Sequence, residues 1–256
     1  MAPTVRDPLD NLTRLETAAI SARRDGASIL VAPELALTGY DIGELGEPET
    51  SADLLEQVCR VARRAGLAIV IGLAEVADGR TWNSSVIVDR AGQVRASYRK
   101  THLFGALDRS RFGAGEELPP VVELDGIAVS TLVCYDIEFP EPARIAAVRG
   151  ADVLAVPTAN MQPWTFVNDH IVPVRAFENQ LYVGYANHCG TERDTRYVGG
   201  SLIAAPDGST VRAGADDEEI ILSTIDTAFL AERRREATYL RDRRPELYAA
   251  LSEETP

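Results

Sequence analysis

Strand-length apolar runs alternate with amphipathic helical segments along most of the chain, and this alternation restricts the possible folds more than any other sequence feature. The first part has the order helix, strand, helix, strand, with strands at 28–32 and 67–74 and the second helix beginning at a Ser51 cap. Two further predicted strands, 82–89 and 93–100, flank a short turn and favour a hairpin. Helices between strands together with hairpins predict a layered α/β sandwich with a mixed sheet.

The second half of the sequence continues this pattern. Predicted strands lie at 121–124, 127–133, 153–156, 181–186, 200–205, 209–213 and 220–225. After them, the tail from 227 to 252 is polar, arginine-rich and helical by pattern, with an interruption at Pro245. Neither an internal repeat nor a low-complexity linker divides the sequence, so the same sandwich accounts for most of its length.

Length and charge narrow the class of protein. The chain has 256 residues, 45% of them hydrophobic, which is enough for one large domain spanning residues 1–256. It has no apolar run of about 18 residues and no leader pattern, so we expect a cytoplasmic protein without a membrane segment. The three cysteines have neither disulfide-framework nor metal-site spacing, and we expect no metal. A formal charge of −13 argues against a nucleic-acid partner.

Three predicted strands end at a residue with a reactive side chain. Glu34 follows the strand at 28–32, Lys100 ends the strand at 93–100, and Cys134 follows the strand at 127–133. Because α/β folds gather ligand sites at strand ends on one side of a sheet, a carboxylate, an ammonium and a thiol can meet there. For Glu34 and Lys100 the alternative is an ordinary solvated surface charge.

The segment around Cys134 predicts a strand–turn–helix elbow. An apolar run ends at Cys134, and a helix then opens with Pro140 at its first position and Glu141 in its first turn. A thiol near a helix N-terminus is partly exposed, and the helix dipole favours its nucleophilic thiolate form. The alternative is a small core residue, because free cysteine is among the most buried residue types.

Three ordered motifs resemble those of the nitrilase superfamily of carbon–nitrogen hydrolases. They are APELALTGY at 32–40, YRKTHLFG at 98–105 and CYDIEFPE at 134–141. The resemblance extends from about residue 10 to about residue 248. Within the family, the sequence is most similar to amidases acting on amino-substituted carboxamides, such as 5-aminopentanamidase and a stereoselective amidase. The resemblance implies a four-layer α-β-β-α sandwich of two mixed sheets flanked by helices.

The resemblance also implies a role for each reactive residue. Cys134 corresponds to the nucleophile, Glu34 to the general base, and Lys100 to the cation that stabilises the oxyanion. The backbone N–H of Tyr135 is a second candidate oxyanion donor. The expected reaction hydrolyses a small aliphatic amide to a carboxylic acid and ammonia through a thioester, and it needs no cofactor.

Two positions depart from the family pattern. The family often has a second glutamate eight residues after the lysine, where this sequence has Asp108. Asp108 is expected to orient substrate or Lys100; the alternatives are that Glu116 or Glu117 fills that space, or that Asp108 is an ordinary solvated loop carboxylate. Many relatives have arginine at the position of Glu138, which suits carboxylate-bearing substrates. A glutamate there predicts a substrate with a cationic amino group, unless Glu138 simply pairs with a nearby arginine, either Arg144 or Arg175.

The stretch PTAN at 157–160 also resembles the family, and the segment after it supplies further candidates for substrate binding. Asn160 ends that stretch, and Trp164 and Phe166 follow it as a candidate apolar wall for the acyl chain, with ordinary core aromatics as the alternative. No histidine lies in a context typical of a cysteine protease, so we expect structural roles for His102, His170 and His188.

Both ends of the chain carry an expectation drawn from the resemblance. Relatives usually begin with a strand before the first helix, so we expect the first strand of the fold to be missing, and we hypothesise that Met1 corresponds to an internal methionine. At the other end, residues 227–256 are expected to form a C-terminal arm at the subunit interface of a homodimer or larger homo-oligomer.

Two other functions remain open from the sequence. A nitrilase or an N-carbamoyl amide hydrolase uses the same three residues as an amidase. A catalytically silent binding or scaffold protein would keep the fold, although the presence of all three residues argues against it.

Overall fold

The computed structural model describes residues 1–41 and 52–252, so the Ser51 cap and the last four residues of the predicted arm lie outside the described residues. The helices are α1 (Pro8–Arg24), α2 (Ala52–Ala65), α3 (Gly105–Arg111), α4 (Pro140–Val148), α5 (Val172–Asn179) and α6 (Thr227–Glu236). The strands are β1 (Ile29–Val31), β2 (Ala68–Ala77), β3 (Arg80–Val88), β4 (Val94–Arg99), β5 (Val121–Leu124), β6 (Ile127–Thr131), β7 (Val153–Thr158), β8 (Tyr182–Asn187), β9 (Thr191–Glu192), β10 (Thr195–Arg196), β11 (Leu202–Ala204) and β12 (Thr210–Arg212).

Two large sheets of mixed direction form the centre of the molecule, as predicted. The first has the order β1-β2-β3-β4, with β1 parallel to β2 and the other pairs antiparallel. The second has the order β12-β11-β8-β7-β6-β5, in which β6, β7 and β8 are parallel. Strands β9 and β10 form a separate short hairpin.

Three hydrophobic clusters show that the layers stack as helices, sheet, sheet, helices. One cluster joins α1 and α2 to the first sheet, for example through Leu15, Val58 and Ile69. A second fills the space between the sheets, with Val70 of the first and Val129 of the second. The third joins the second sheet to α4 and α5. Each sheet therefore buries both faces, which explains the nearly continuous apolar character of its central strands.

The elbow after β6 differs from its prediction in detail. The strand ends at Thr131 rather than at residue 133, although the Leu132 N–H still donates to the Ala155 carbonyl at 3.1 Å. A 3-10 turn, Cys134–Glu138, then precedes α4, which has Pro140 at its first position as expected. The thiol therefore lies one short turn before the helix proper.

Three further predictions concern the N-terminal and C-terminal parts of the chain. The first element is α1, and no strand precedes it among the described residues. The predicted strand at 220–225 pairs with no described strand. The predicted helical tail is shorter than expected, with α6 followed only by 3-10 turns at Pro245–Leu247 and Ala249–Ser252. Among the described helices, none combines the length and apolar character that a membrane span requires.

Candidate active site

Glu34 and Lys100 meet in a buried ion pair, although they follow strands at opposite edges of the first sheet. The Lys100 Nζ atom lies 2.7 Å from Glu34 Oε1, and both side chains are completely shielded from solvent. Cys134 reaches the same place from the second sheet, and its thiol interacts electrostatically with both residues. The structure thus brings together the carboxylate, ammonium and thiol that the sequence placed at three strand ends.

The loop after β1 is held in one conformation around Glu34. Leu35 adopts a left-handed backbone with a φ of 49°. On β2, the Gly72 carbonyl accepts from the Ala36 N–H and the Gly72 N–H donates to the Pro33 carbonyl, both at 3.1 Å. A Cβ atom at position 72 would lie 2.5 Å from Glu34 Cα, so only glycine permits this approach.

The two oxygens of the Glu34 carboxylate have different surroundings. Oε1 accepts from Lys100 and from Asn83 Nδ2, the latter at 2.6 Å. Oε2 is buried and has no hydrogen-bond partner among the described residues. Because a buried carboxylate oxygen without a donor is costly, Oε2 is the natural acceptor for a proton from the thiol or from a substrate water.

Asp108 supports Lys100 directly, whereas Glu116 and Glu117 are exposed. Its Oδ2 atom lies 2.7 Å from Lys100 Nζ and also accepts from the Phe104 N–H at 3.0 Å. Its Oδ1 atom accepts from the Tyr40 hydroxyl at 2.8 Å. Between the two alternatives from the sequence, Asp108 therefore occupies the space beside the lysine, despite being one methylene shorter than glutamate.

Burial and charge shift the pKa of all three central groups. Burial, partly offset by Lys100, raises the pKa of Glu34. Burial opposes the charge on Lys100, but Glu34 and Asp108 together raise its pKa well above the usual value. Burial and the neighbouring Glu34 raise the pKa of the Cys134 thiol well above its ordinary value, against the opposing effects of Lys100 and the Ala159 backbone. The sequence expectation of a dipole-stabilised thiolate is thus wrong for the resting site.

The backbone at Cys134 is strained, and Asp136 holds the segments on either side of it. Cys134 has a φ of 46°, an uncommon conformation for a non-glycine residue. Asp136 Oδ2 accepts from the Val133 N–H at 3.1 Å, while Oδ1 accepts from the Thr101 hydroxyl and the His102 N–H, both at 2.9 Å. One buried carboxylate therefore connects the cysteine motif to the lysine motif.

Tyr135 lies directly after Cys134. Its ring makes edge contacts with Phe104 and Phe139 at centroid distances of 5.2 and 5.0 Å. Its backbone N–H has no acceptor in the part of the chain that the structure describes. That N–H is thus available to donate a hydrogen bond to a ligand oxygen.

Glu138 is half-buried beside the site, and its carboxylate forms no ion pair with any described residue. Arg144 and Arg175, the two proposed partners, both bind the carboxylate of Glu178 instead. Arg175 reaches Glu138 only through its backbone carbonyl, at 2.7 Å. The ion-pair alternative is therefore wrong. Burial raises the pKa of Glu138, whereas the charges of Lys100 and Arg175 act to lower it. The Glu138 carboxylate therefore lies close enough to Lys100 to interact with it electrostatically.

The segment after β7 places the two aromatic candidates at the surface and Asn160 beneath it. Trp164 and Phe166 are 50% and 63% exposed, so the interpretation as core aromatics is wrong. Asn160 is buried, and its side-chain amide donates to the Trp164 carbonyl at 2.9 Å and to Asn168 Oδ1 at 2.8 Å. Asn160 therefore fixes the path of the loop that carries the two aromatic side chains.

Several residues of the site were not singled out from the sequence. They are Tyr40, Asn83, Asp136, Ala159 and Tyr185, the last of which interacts electrostatically with Cys134 and Glu138. Tyr40 and Asp136 lie within the recognised motifs, so their polar side chains were an available signal. Asn83 is an ordinary polar residue on β3, and only strand pairing shows its position. No group of three His, Cys, Asp or Glu side chains in the described ranges is arranged to hold a metal.

Comparisons with known proteins agree with this geometry. The model of the carbon–nitrogen hydrolase family matches residues 1–235. A Pseudomonas protegens protein named as a hydrolase in the pqqF 5′ region is 47% identical, with 98% of this chain and 89% of the relative covered. An (R)-stereoselective amidase from Pseudomonas sp. is 35% identical, with 93% and 87% covered.

A solved structure shares the whole architecture. The NitN amidase from Nesterenkonia sp. AN1 superposes with a TM-score of 0.84 at 33% identity, covering 98% of this chain and 96% of that one. Another structure of that amidase shows the acetamide moiety of fluoroacetamide added covalently at the active-site cysteine. The family match, the sequence relatives and the shared fold lead to one conclusion: this chain belongs to the carbon–nitrogen hydrolase family of the nitrilase superfamily.

Proposed function

We propose that the protein is an amidase that hydrolyses a small aliphatic carboxamide to a carboxylic acid and ammonia, with Cys134 as the nucleophile. The observation that carries this proposal is the buried ion pair of Glu34 and Lys100, with the half-buried thiol of Cys134 near enough to interact electrostatically with both. A carboxylate, a cation and a thiol in this arrangement supply a base, an oxyanion partner and a nucleophile. The amidase names of relatives and the butyramide complex of the Nesterenkonia enzyme support an amide substrate.

The first step transfers the thiol proton to Glu34 as the sulfur attacks the amide carbonyl carbon. The raised pKa of the thiol means that the resting residue is protonated, so a general base is required. Glu34 is that base, because one of its oxygens has no described donor. Its own raised pKa makes it a stronger base than a solvated carboxylate.

The attack places a negative charge on the former carbonyl oxygen. Lys100 keeps its proton through the reaction because its pKa is well above the usual value, so it acts as a permanent cation. The Tyr135 N–H provides the second donor. Fixed donors of this kind typically contribute about 10²–10³ each in rate.

Collapse of the tetrahedral intermediate breaks the carbon–nitrogen bond. The proton held by Glu34 passes to the departing nitrogen, ammonia leaves, and the acyl group remains on Cys134 as a thioester. Water then attacks the thioester carbon while Glu34 takes its proton. The second collapse returns that proton to the sulfur and releases the carboxylic acid, which restores the enzyme.

The acyl part of the substrate is proposed to carry a cationic amino group. Glu138 places a half-buried carboxylate without a described ion-pair partner beside the site, where an ammonium group would compensate it. A carboxylate-bearing acyl group would meet repulsion there. Trp164 and Phe166, exposed on the loop fixed by Asn160, are proposed to contact the aliphatic portion.

The test measures ammonia release from ω-amino, α-amino, neutral and carboxylated amides of matched chain length. Cys134→Ala is expected to abolish turnover, and unchanged turnover would overturn the proposed nucleophile. Glu138→Gln is expected to lower kcat/KM about tenfold for amino-amides, as for loss of one charge-assisted contact, and to leave neutral amides nearly unchanged. Equal loss on both would contradict the proposed specificity while leaving the amidase function intact.

Product analysis distinguishes the alternative reactions of the same three residues. An amidase yields acid and ammonia, does not consume the matching nitrile, and releases no carbon dioxide from an N-carbamoyl compound. Nitrile consumption as the faster reaction would favour a nitrilase. The intact cluster of base, cation and nucleophile argues against a silent scaffold protein.

A further inference from the structure

A buried carboxylate outside the proposed reacting groups lies at the far end of the loop that carries Glu34. Glu192, on strand β9, is only 3% exposed. Its Oε2 atom accepts from the Tyr40 N–H at 2.9 Å, from the Asp41 N–H at 2.8 Å and from the Tyr197 hydroxyl. All three of these donors are uncharged, and two of them are backbone amides. Glu192 therefore fixes the backbone of the loop at Tyr40.

Tyr40 connects that carboxylate to the central lysine. Its hydroxyl donates to Asp108 Oδ1 at 2.8 Å, and Asp108 Oδ2 lies 2.7 Å from Lys100 Nζ. Burial raises the pKa of Tyr40 well above its ordinary value, so the hydroxyl keeps its proton and remains a donor. The Tyr40 ring centroid lies 5.9 Å from the same Nζ atom. A shift of the Tyr40 backbone would therefore displace the support of the Lys100 ammonium.

The segment that carries Glu192 contacts both ends of the loop from 34 to 41. In the hairpin, Thr195 pairs with Glu192, and its hydroxyl donates to Asp41 Oδ2 at 2.7 Å. At the other end of the loop, His188 Nε2 donates to the Glu34 carbonyl. Burial lowers the pKa of His188, so the ring is neutral at pH 7 and keeps one nitrogen as a donor. Because a two-stranded hairpin is marginally stable alone, these polar contacts fix hairpin and loop against each other.

We propose that Glu192 is a positioning residue of the amidase reaction: it holds the Tyr40 backbone and thereby sets the place of Asp108 and, through it, of Lys100. The proposal rests on the proposed function, in which Lys100 is the oxyanion cation. Burying a carboxylate is costly, and hydrogen bonds to its oxygens compensate that cost. Because the three donors are uncharged, the position requires an acceptor oxygen more than a negative charge.

The experiment compares Glu192→Gln, which keeps an acceptor oxygen, with Glu192→Met, which has a similar length and only a weak acceptor. Ammonia release is measured with the most rapidly hydrolysed amide of the panel. We expect Glu192→Met to lower kcat about tenfold and to change KM less than about twofold, because a misplaced Lys100 acts on the transition state. Glu192→Gln should keep kcat within about threefold of the unaltered protein. Equal losses in the two variants, or a loss confined to KM, would overturn the proposal.

A double variant tests whether Glu192 acts through Tyr40. Tyr40→Phe removes only the hydroxyl that donates to Asp108, and we expect it to lower kcat about tenfold. Because both changes interrupt one chain of contacts, the double variant Tyr40→Phe/Glu192→Met should stay within about threefold of the less active single variant. A loss equal to the product of the two single losses, about 10²-fold, would contradict this route.

Leu124→Ala is the control for a loss of stability without a loss of positioning. Leu124 is 5% exposed and pairs with Ile127, at the end of β6 opposite to Cys134. The truncation leaves a cavity that destabilises the protein, and we expect kcat to change less than about twofold. A fall in kcat as large as that of Glu192→Met would assign both effects to lost stability and overturn the proposal.

Alkylation of Cys134 by iodoacetamide, followed by mass analysis of its peptide, separates this proposal from the amidase function. Lys100 acts to lower the pKa of the Cys134 thiol, so a displaced ammonium should move the pH profile of alkylation to higher pH. We expect a shift of about 0.5 in Glu192→Met and no shift in Glu192→Gln. An unshifted profile in Glu192→Met would overturn the positioning role. The expected shift in a protein that hydrolyses no amide would overturn the amidase function and support the positioning role.

Discussion

Gly72 is the position where a single added methyl group should move the Glu34 carboxylate away from the Cys134 thiol. In Gly72→Ala, the new Cβ would lie 2.5 Å from Glu34 Cα and 2.7 Å from Leu35 N, both of them backbone atoms that cannot rotate away. An ordinary carbon–carbon contact needs about 3.5 Å, so the loop carrying Glu34 must retreat by about 1 Å. The hydrogen bonds of Gly72 with Pro33 and Ala36 hold that loop in place.

The expected loss follows from this displacement. A misplacement of about 1 Å in a catalytic group can cost about 10²-fold in rate, because the base no longer reaches the thiol proton. Overpacking of this kind also lowers the free energy of unfolding by about 1–3 kcal/mol. We therefore expect Gly72→Ala to fold and its kcat to fall about 10²-fold, while its KM changes much less.

The assay compares amide turnover and denaturant unfolding of Gly72→Ala with those of Gly184→Ala. Gly184 lies on a central strand of the second sheet, and its added Cβ would make an ordinary 3.5 Å contact with Val31 Cγ2. We expect this control to retain activity within about threefold, since a contact at that distance needs no displacement. Equal activities of the two variants, or wild-type turnover in Gly72→Ala, would refute the reasoning from close approach.

Three other perturbations have defined outcomes. Lys100→Met should lower kcat by about 10²–10³-fold through loss of the proposed oxyanion donor, and near-normal turnover would exclude Lys100 from the reaction. Calorimetry of the same variant should show a loss of about 3–5 kcal/mol in the free energy of unfolding, because two buried carboxylates lose their partner. In pH profiles, kcat/KM should fall as the pH drops through the raised pKa of Glu34, so the acidic limb lies above the ordinary value of 4.5, and a limb at or below 4.5 would contradict a buried base. Light scattering should show a homodimer, because α5 and the C-terminal arm expose the apolar side chains of Val174, Leu247 and Leu251. Val174→Asp should weaken the dimer, and a single 27.8 kDa species in the unaltered protein would contradict dimer formation.

The sequence supported the layered architecture and the meeting of three reactive residues because both depend on local pattern. Apolar runs marked the strands, and Glu34, Lys100 and Cys134 each lie within three residues of the end of one. Asn83 could not be found in this way, because its contact with Glu34 depends on the lateral pairing of β2 with β3. The exact neighbours of a strand are a long-range property that periodicity does not contain.

The sequence predictions that the structure contradicts also have specific physical causes. The helix dipole suggested a thiolate at Cys134, but burial and the Glu34 carboxylate outweigh it. The pairing of Glu138 with an arginine was wrong because Glu178, from α5, binds both candidates. Segment 220–225 has the composition of a strand, yet pairing needs a neighbour as well as propensity.

The contacts of Asp136 have a mechanical consequence. Lys100 follows a strand of one sheet and the thiol follows a strand of the other, so sliding of the two sheets would change the spacing between ammonium and sulfur. The Asp136 carboxylate accepts hydrogen bonds from the segment after Lys100 and from the residue before Cys134, so it links the two sheets by hydrogen bonds. Relative sliding of the two sheets at this point would have to break hydrogen bonds of a buried carboxylate, so Asp136 opposes a change in the spacing between Lys100 and Cys134.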